Sequence, residues 1–287
     1  MDKVGSYNFM AEPFHCDFSG RLFMGHLGNH MLNAADFHST DRGFGMKYLM
    51  TIKRSWVLSR LAIEMTEMPQ QYTKFRVETW VESAMRYFTS RNFAVVGTSP
   101  IPSEGGELPP SGRSGEVILG YGRSIWAMID TETRQPTDIL ATVPEGFPSG
   151  SSINDQAIVP EGFPSGSSIN DWIVKDKECP IEKGGRVKMS DQAELVRTID
   201  TYYNDVDING HINSVKYIEH VLDLWDLAWY KEHQIRRFEI AYVAEAHQGD
   251  RLSFYMEQTM ENDYCVRIVR SDGTECCRSK VSFRPTL

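Results

Sequence analysis

The stretch that decides the reading is Asn204-Asp205-Val206-Asp207-Ile208-Asn209-Gly210-His211-Ile212-Asn213, which leads straight into an apolar helical pattern. Ile212, Val215, Ile218, Leu222, Trp225 and Trp229 recur every three or four residues, so one helix with one buried face is expected from about His211 to Glu232. Asp207, Asn209 and His211 alternate, and in an extended chain all three would face one side. A helix start beside them adds backbone N–H donors and a positive dipole end. Carboxylate, amide, imidazole and N–H groups gathered in this way can stabilise an oxyanion and move a proton.

Downstream, alternating runs begin at Phe238, Arg251, Tyr264 and Cys277, with Asn262-Asp263 and Ser271-Asp272-Gly273 as turns between them. A strand over Ala193–Tyr202 precedes the helix. The first half repeats the order: a strand near Tyr7–Cys16, a helix near Leu27–His38, then strands near Trp56–Met65, Lys74–Ser83, Thr89–Val96 and Gly122–Ile129. Arg60 to Ile63 can be laid on Arg237 to Ile240, with Gln71 on Gln248 and Phe75 on Leu252, at an offset of 177. Later, Arg123-Ser124 lies on Arg278-Ser279 at an offset of 155, and an insertion near 98–115 reconciles the two. The expected fold is α+β: two tandem hotdog units, each a long helix wrapped by an antiparallel sheet. The boundaries expected are 1–140, a linker over 141–185, and 186–287.

The C-terminal pattern resembles a known family. Asp207-x-Asn209-x-His211-Ile212-Asn213-x-x-Lys216-Tyr217-Ile218 is similar to the signature that opens the second hotdog helix of plant and bacterial acyl-ACP thioesterases, where ACP is the acyl carrier protein. The resemblance extends to the strands at Trp56–Arg60 and Thr79–Val81 and spans most of the chain except the 98–115 and linker segments. It implies that Asp207, Asn209 and His211 are catalytic, with a fourth residue, a glutamate from a later strand, falling at Glu245. The cysteine that follows this glutamate in the family is Ala246 here. The implied reaction is hydrolysis of fatty acyl-ACP to free fatty acid and holo-ACP, with no metal and no organic cofactor. An acyl-CoA thioesterase and a non-catalytic acyl-binding hotdog are the alternatives. A binder has little reason to bury four polar groups beside a greasy chain. If Gly25-His26-Leu27 is placed on Gly210-His211-Ile212, Leu22 and Met24 replace Asp207 and Asn209, and the first half serves the acyl chain. Met24, Leu27, Met31 and Leu32 are then tunnel or core residues.

Rival readings fail on particular residues. Asp205-x-Asp207-x-Asn209-Gly210 starts like a calcium loop, but the twelfth position is Lys216. His26 and His30 have zinc-pair spacing without the glutamate of HExxH, while His15, His220, His233 and His247 read as structural or surface residues. No GxSxG elbow occurs. Asn209 capping the helix and Asp207 closing a turn is the plain structural alternative.

Composition bounds the rest. With 41% hydrophobic and 24% charged residues in 287, the chain can bury a core without staples. Five cysteines without a CxxC pair fit free thiols and a cytoplasmic location. The adjacent Cys276-Cys277 would face opposite sides of a strand as packing residues. No secretory signal or spanning segment is expected. A net charge of −9 argues against nucleic acid. Yet Lys47–Arg91 holds eight basic and four acidic residues, a local +4 that is a candidate dock for an acidic carrier protein bearing its acyl group on phosphopantetheine. Two hotdogs in one chain imitate a hotdog dimer, so monomer and homodimer are both open. Finally, VPEGFPSGSSIND occurs twice, at Val143–Asp155 and Val159–Asp171, and reads as a recent linker duplication.

Overall fold

The computed structural model describes residues 2–98, 115–142 and 168–286. The insertion near 98–115 and nearly all of the duplicated linker lie outside the described residues. The tail of the second copy is described: the Ser168 side chain caps a short 3-10 turn, Ile169–Trp172, that buries both of its end residues.

The first half comprises β1 (Gly5–Met10), α1 (Met24–Thr40), α2 (Met46–Thr51), β2 (Arg54–Met65), β3 (Lys74–Ala84), β4 (Phe88–Thr98) and β5 (Glu116–Asp130). The second comprises β6 (Glu194–Asp200), α3 (Ser214–Leu222), α4 (Leu227–Glu232), β7 (His233–Tyr242), β8 (Arg251–Met260), β9 (Asp263–Arg270) and β10 (Glu275–Pro285). Among the described residues the strands form one antiparallel sheet in the order β1-β3-β4-β5-β2-β7-β10-β9-β8-β6. Each half contributes five strands in the same internal order, and α1 and α3 cover the sheet side by side. This is the double hotdog.

The register reveals a pseudo-twofold axis. β2 pairs with β7 over Arg60↔Ala241 to Glu64↔Arg237. The offset of 177 carries Arg60 onto Arg237 and Glu64 onto Ala241, so the seam maps onto itself about Ala62 and Glu239. Phe238 and Ile63 meet there, both fully buried. The later offset needs correction. Leu61 lies opposite Ser124 and its counterpart Phe238 lies opposite Val281, so β5 falls on β10 at 157 rather than 155. Two residues preserve the face of a strand, which is why the false register looked plausible.

Three other expectations change. The helix from His211 to Glu232 is two helices, because Asp223 caps the end of α3 and the Asp226 side chain caps α4 by accepting the Trp229 N–H at 2.8 Å. The strand expected over Tyr7–Cys16 ends at Met10, since Pro13–His15 forms a 3-10 turn. Cys276 and Cys277 both enter the main core, because β10 carries a bulge between Glu275 and Cys277.

α1 buries Met24, Leu27, Met31, Ala34, Ala35 and His38 along one face. Gly28 allows its close approach to α3, since a Cβ there would sit 3.3 Å from Ile218 Cδ1. At the far end of α1, His38 Nδ1 accepts from Arg91 Nη1 at 3.1 Å and its Nε2 lies 3.1 Å from the Lys3 carbonyl. Burial, then the Arg91 and Arg42 charges, push this imidazole down to about 2. An unfolded chain protonates the same ring near pH ~6.5, whereas the folded one does not until about pH 2. Stability contributed by neutral His38 is therefore lost as pH falls below ~6.5, by up to about 1.4 kcal/mol per pH unit. Urea unfolding of His38→Gln should show an acid-side slope reduced by about one proton between roughly pH 6 and pH 4. An unchanged slope would mean that His38 is already charged in the native state.

Candidate active site

The residues singled out at Asp207, Asn209 and His211 do not lie on an extended strand. Val206 and Ile212 form an isolated bridge, Asp207 N donates to His211 O at 2.8 Å, and Gly210 sits at φ 81°. The segment is a tight loop, and only glycine takes that φ without cost. The Asp207 carboxylate holds the loop from inside: Oδ1 accepts the Asn209 N–H at 2.8 Å and the His211 N–H at 3.3 Å. It thus positions the backbone of His211, and the ring of His211 faces elsewhere. Helix α3 starts three residues later and is capped by Asn213, whose Oδ1 accepts from Val215 N at 2.9 Å, and not by Asn209.

Glu245 is brought to this loop by one backbone bond. Ile212 N donates to Ala246 O at 2.8 Å, tying the loop to the segment after β7. His211 Nε2 then lies 3.3 Å from Glu245 Oε2, both side chains partly exposed. The fully buried Ala246 occupies the position of the family's cysteine. Arg270 Nη1 donates to the Glu245 carbonyl at 3.1 Å and steadies the backbone there.

Two neighbours escaped the sequence reading. Arg134, on the turn after β5, donates through Nη2 to Glu245 Oε1, so the first half reaches across to the second. Arg134 has φ 61°, an uncommon backbone state for a side-chain-bearing residue, and its N–H is held by Asp130 O at 2.9 Å. A lone arginine in a turn has no sequence signal. His247, read as a structural or surface residue, is exposed and places its ring 5.1 Å from that of His211. Its spacing of two from Glu245 was the available clue.

Asp207, Asn209, His211 and Glu245 all line the mouth of a cavity of about 680 Å³. The cavity follows one face of α1 through Asn29, Leu32, Asn33, Asp36 and Ser39, a run of about 15 Å. β2 and β5 supply Trp56, Leu58 and Trp126. Of the four tunnel candidates only Leu32 lines it; Met24, Leu27 and Met31 are core. The far end is polar, with His38, Arg42 and Arg91, where Arg42 lies over the Trp172 ring at 5.1 Å. Burial, with Arg42 nearby, pushes Arg91 down to about 10.

The first half keeps the loop but not its chemistry. Cys16 and Leu22 form the matching bridge, Asp17 Oδ1 accepts the Ser19 and Arg21 N–H groups at 2.8 and 3.1 Å, and Leu22 N donates to Pro69 O at 2.9 Å. The offset here is 190, so Asp17, Ser19 and Arg21 stand at Asp207, Asn209 and His211, while the seam offset of 177 puts Met68 at Glu245. This replaces the alignment of His26 on His211. The missing glutamate and imidazole leave that loop without an acid–base pair.

An imidazole and a carboxylate 3.3 Å apart on the wall of a cleft between two fused hotdogs define a double-hotdog protein with a candidate acid–base pair at its cleft. Residues 4–101 match the acyl-ACP thioesterase N-terminal domain and residues 188–285 the C-terminal domain. The solved structure of an acyl-ACP thioesterase from Bacteroides thetaiotaomicron is 45% identical, with 98% of each chain covered and a TM-score of 0.78. The 12:0-ACP thioesterase from Umbellularia californica shares the fold at 18% identity, with 100% and 99% of the chains covered and a TM-score of 0.74. The chloroplastic palmitoyl-acyl carrier protein thioesterase of Gossypium hirsutum is 23% identical over 98% of this chain, which spans 64% of that protein's length. The chain belongs to the acyl-ACP thioesterase family.

Removing the arginine tests the cross-half contact. Arg134→Ala should keep the wild-type fold and lower kcat/KM for an acyl thioester about tenfold, the scale of a half-exposed charge-assisted hydrogen bond. Wild-type kinetics would show that Glu245 needs no partner from the first half.

Proposed function

We propose that the chain hydrolyses the thioester of fatty acyl-ACP to free fatty acid and holo-ACP, ending chain growth in fatty acid synthesis. The observation that carries this reading is the 3.3 Å approach of His211 Nε2 to Glu245 Oε2 at the mouth of a cleft long enough for an acyl chain. In the proposed reaction Glu245 takes a proton from a water whose oxygen attacks the thioester carbonyl. His211 passes a proton to the departing pantetheine sulfur as the C–S bond breaks, and regains one from Glu245 across the 3.3 Å contact, which restores both groups. Both Glu245 oxygens face cationic or imidazole partners, which favours a carboxylate that orients water over one that attacks directly. Asn209 supplies an amide donor for the oxyanion. Asp207 acts by holding the loop that carries both. The acyl chain would run along α1.

The partner in this reading is ACP carrying a phosphopantetheine-linked acyl chain. Its dock is less simple than a +4 window. Lys53 pairs with Glu132 at 2.7 Å, Arg76 with Glu116 at 2.6 Å and Arg86 with Asp138 at 3.0 Å, all acids from outside that window, and Arg91 is buried. Much of the local charge is thus offset in space. Among the described residues no helix is long and apolar enough to cross a membrane. The five cysteines are free, in keeping with the cytoplasmic location we favour, although the matched plant proteins are chloroplastic.

Alanine at Asp207, Asn209, His211 or Glu245 should each cut turnover by at least about 10²-fold with the fold intact by circular dichroism. A residue whose loss leaves turnover near wild type has no part in the scheme. Assay of acyl-ACPs of about eight to eighteen carbons, with matched acyl-CoAs, should show faster release from ACP. Preference for acyl-CoA would move the substrate assignment, and tight binding without release would make the protein a carrier.

A further inference from the structure

Among the described residues, metal-capable side chains gather in two places: His211, Glu245 and His247 at the cleft, and Glu12, His15 and His30 in the first half. The second trio belongs to no step of the hydrolysis. Its ligand atoms all lie within 4.8 Å of one another. His15 Nδ1 is 2.7 Å from Glu12 Oε2, and His26 stacks on His15 with ring centroids 4.0 Å apart. His30 packs against Phe9 and Phe75, with centroids at 4.5 and 5.6 Å, and its buried Nε2 has no hydrogen-bond partner.

The pseudo-twofold axis shows what is unusual about this cluster. At the offset of 190, His15 stands at Asp205 and His30 at His220. In the second half those two residues satisfy each other, His220 Nε2 lying 3.1 Å from Asp205 Oδ1. In the first half the carboxylate of that pair is replaced by a second imidazole, and Glu12 supplies a carboxylate from the position of Tyr202. Two neutral imidazoles and one carboxylate leave an unanswered nitrogen in a buried place, which is costly. The same set is a donor combination that zinc-type ions take, with a fourth position left for water.

We propose that Glu12, His15 and His30 bind one divalent transition-metal ion of the zinc type, with His26 packed beside it. The ion ties the 3-10 turn Pro13–His15 to α1, which lacks a side-chain cap at its N-terminus. The site stands apart from the hydrolytic reading, since it shares no residue with the cleft.

The test is a metal titration of the full chain after chelator treatment, using Co²⁺ for its visible bands and Zn²⁺ for affinity. Expected are one equivalent bound with Kd below about 10 µM and a rise in Tm of about 5 °C at saturating Zn²⁺. Glu12→Gln and His15→Ala should weaken binding at least about tenfold, and His247→Ala should leave it unchanged. His30→Ala should do as Glu12→Gln does; if it fails to fold, the partly exposed Glu12 carries the result. Absence of binding at about 100 µM, or binding lost in His247→Ala and kept in Glu12→Gln, overturns the proposal.

Discussion

The pairing of β2 with β7 is the constraint on which everything else rests. Five residue pairs, centred on Ala62 and Glu239, join two five-stranded sheets into one and set α1 beside α3. The cleft exists because of that seam. Its mouth comes from the loop before α3 and the segment after β7, and its walls come from α1, β2 and β5 of the other half. A hotdog unit alone would hold His211 beside Glu245 but would lack both the cavity wall and Arg134.

The internal duplication separates scaffold from chemistry. Both halves keep a carboxylate that accepts two backbone N–H groups, a glycine with positive φ and a backbone bond to the segment after the seam strand. These features build the loop whether or not it reacts. The aspartate therefore persists as Asp17 where no reaction is expected, which identifies the inner role of Asp207 as loop construction. What differs is the imidazole and the carboxylate aimed at the cleft. The second half carries His211 and Glu245, and the first carries Arg21 and Met68. The same comparison isolates His15 and His30 as a departure from a satisfied pair.

Much of this was legible in the sequence where the signal is periodic or repeated. The offset of 177 came from Arg60 and Arg237, and the seam register agrees with it. The acidic–amide–imidazole cluster is dense enough to stand out by itself, whereas Glu245 follows only from the family resemblance. What misled was local. Alternation at Asp207, Asn209 and His211 suggested a strand, although Asn209-Gly210 is a turn signal that carries more weight. Apolar periodicity runs unbroken through Asp223, where one helix ends, and Asp226, whose side chain begins another. Arg134 and the Glu12 cluster depend on tertiary placement, and no spacing rule reports that.

A crystal structure of the chain with a non-hydrolysable acyl-pantetheine amide measures the central claim most directly. The account predicts the amide carbonyl carbon within about 4 Å of the Glu245 carboxylate, allowing for a bridging water, with its oxygen toward Asn209 and the acyl chain along α1 toward Arg42. A carbonyl held away from His211 and Glu245, or a chain buried under α3 in the second half, would contradict it.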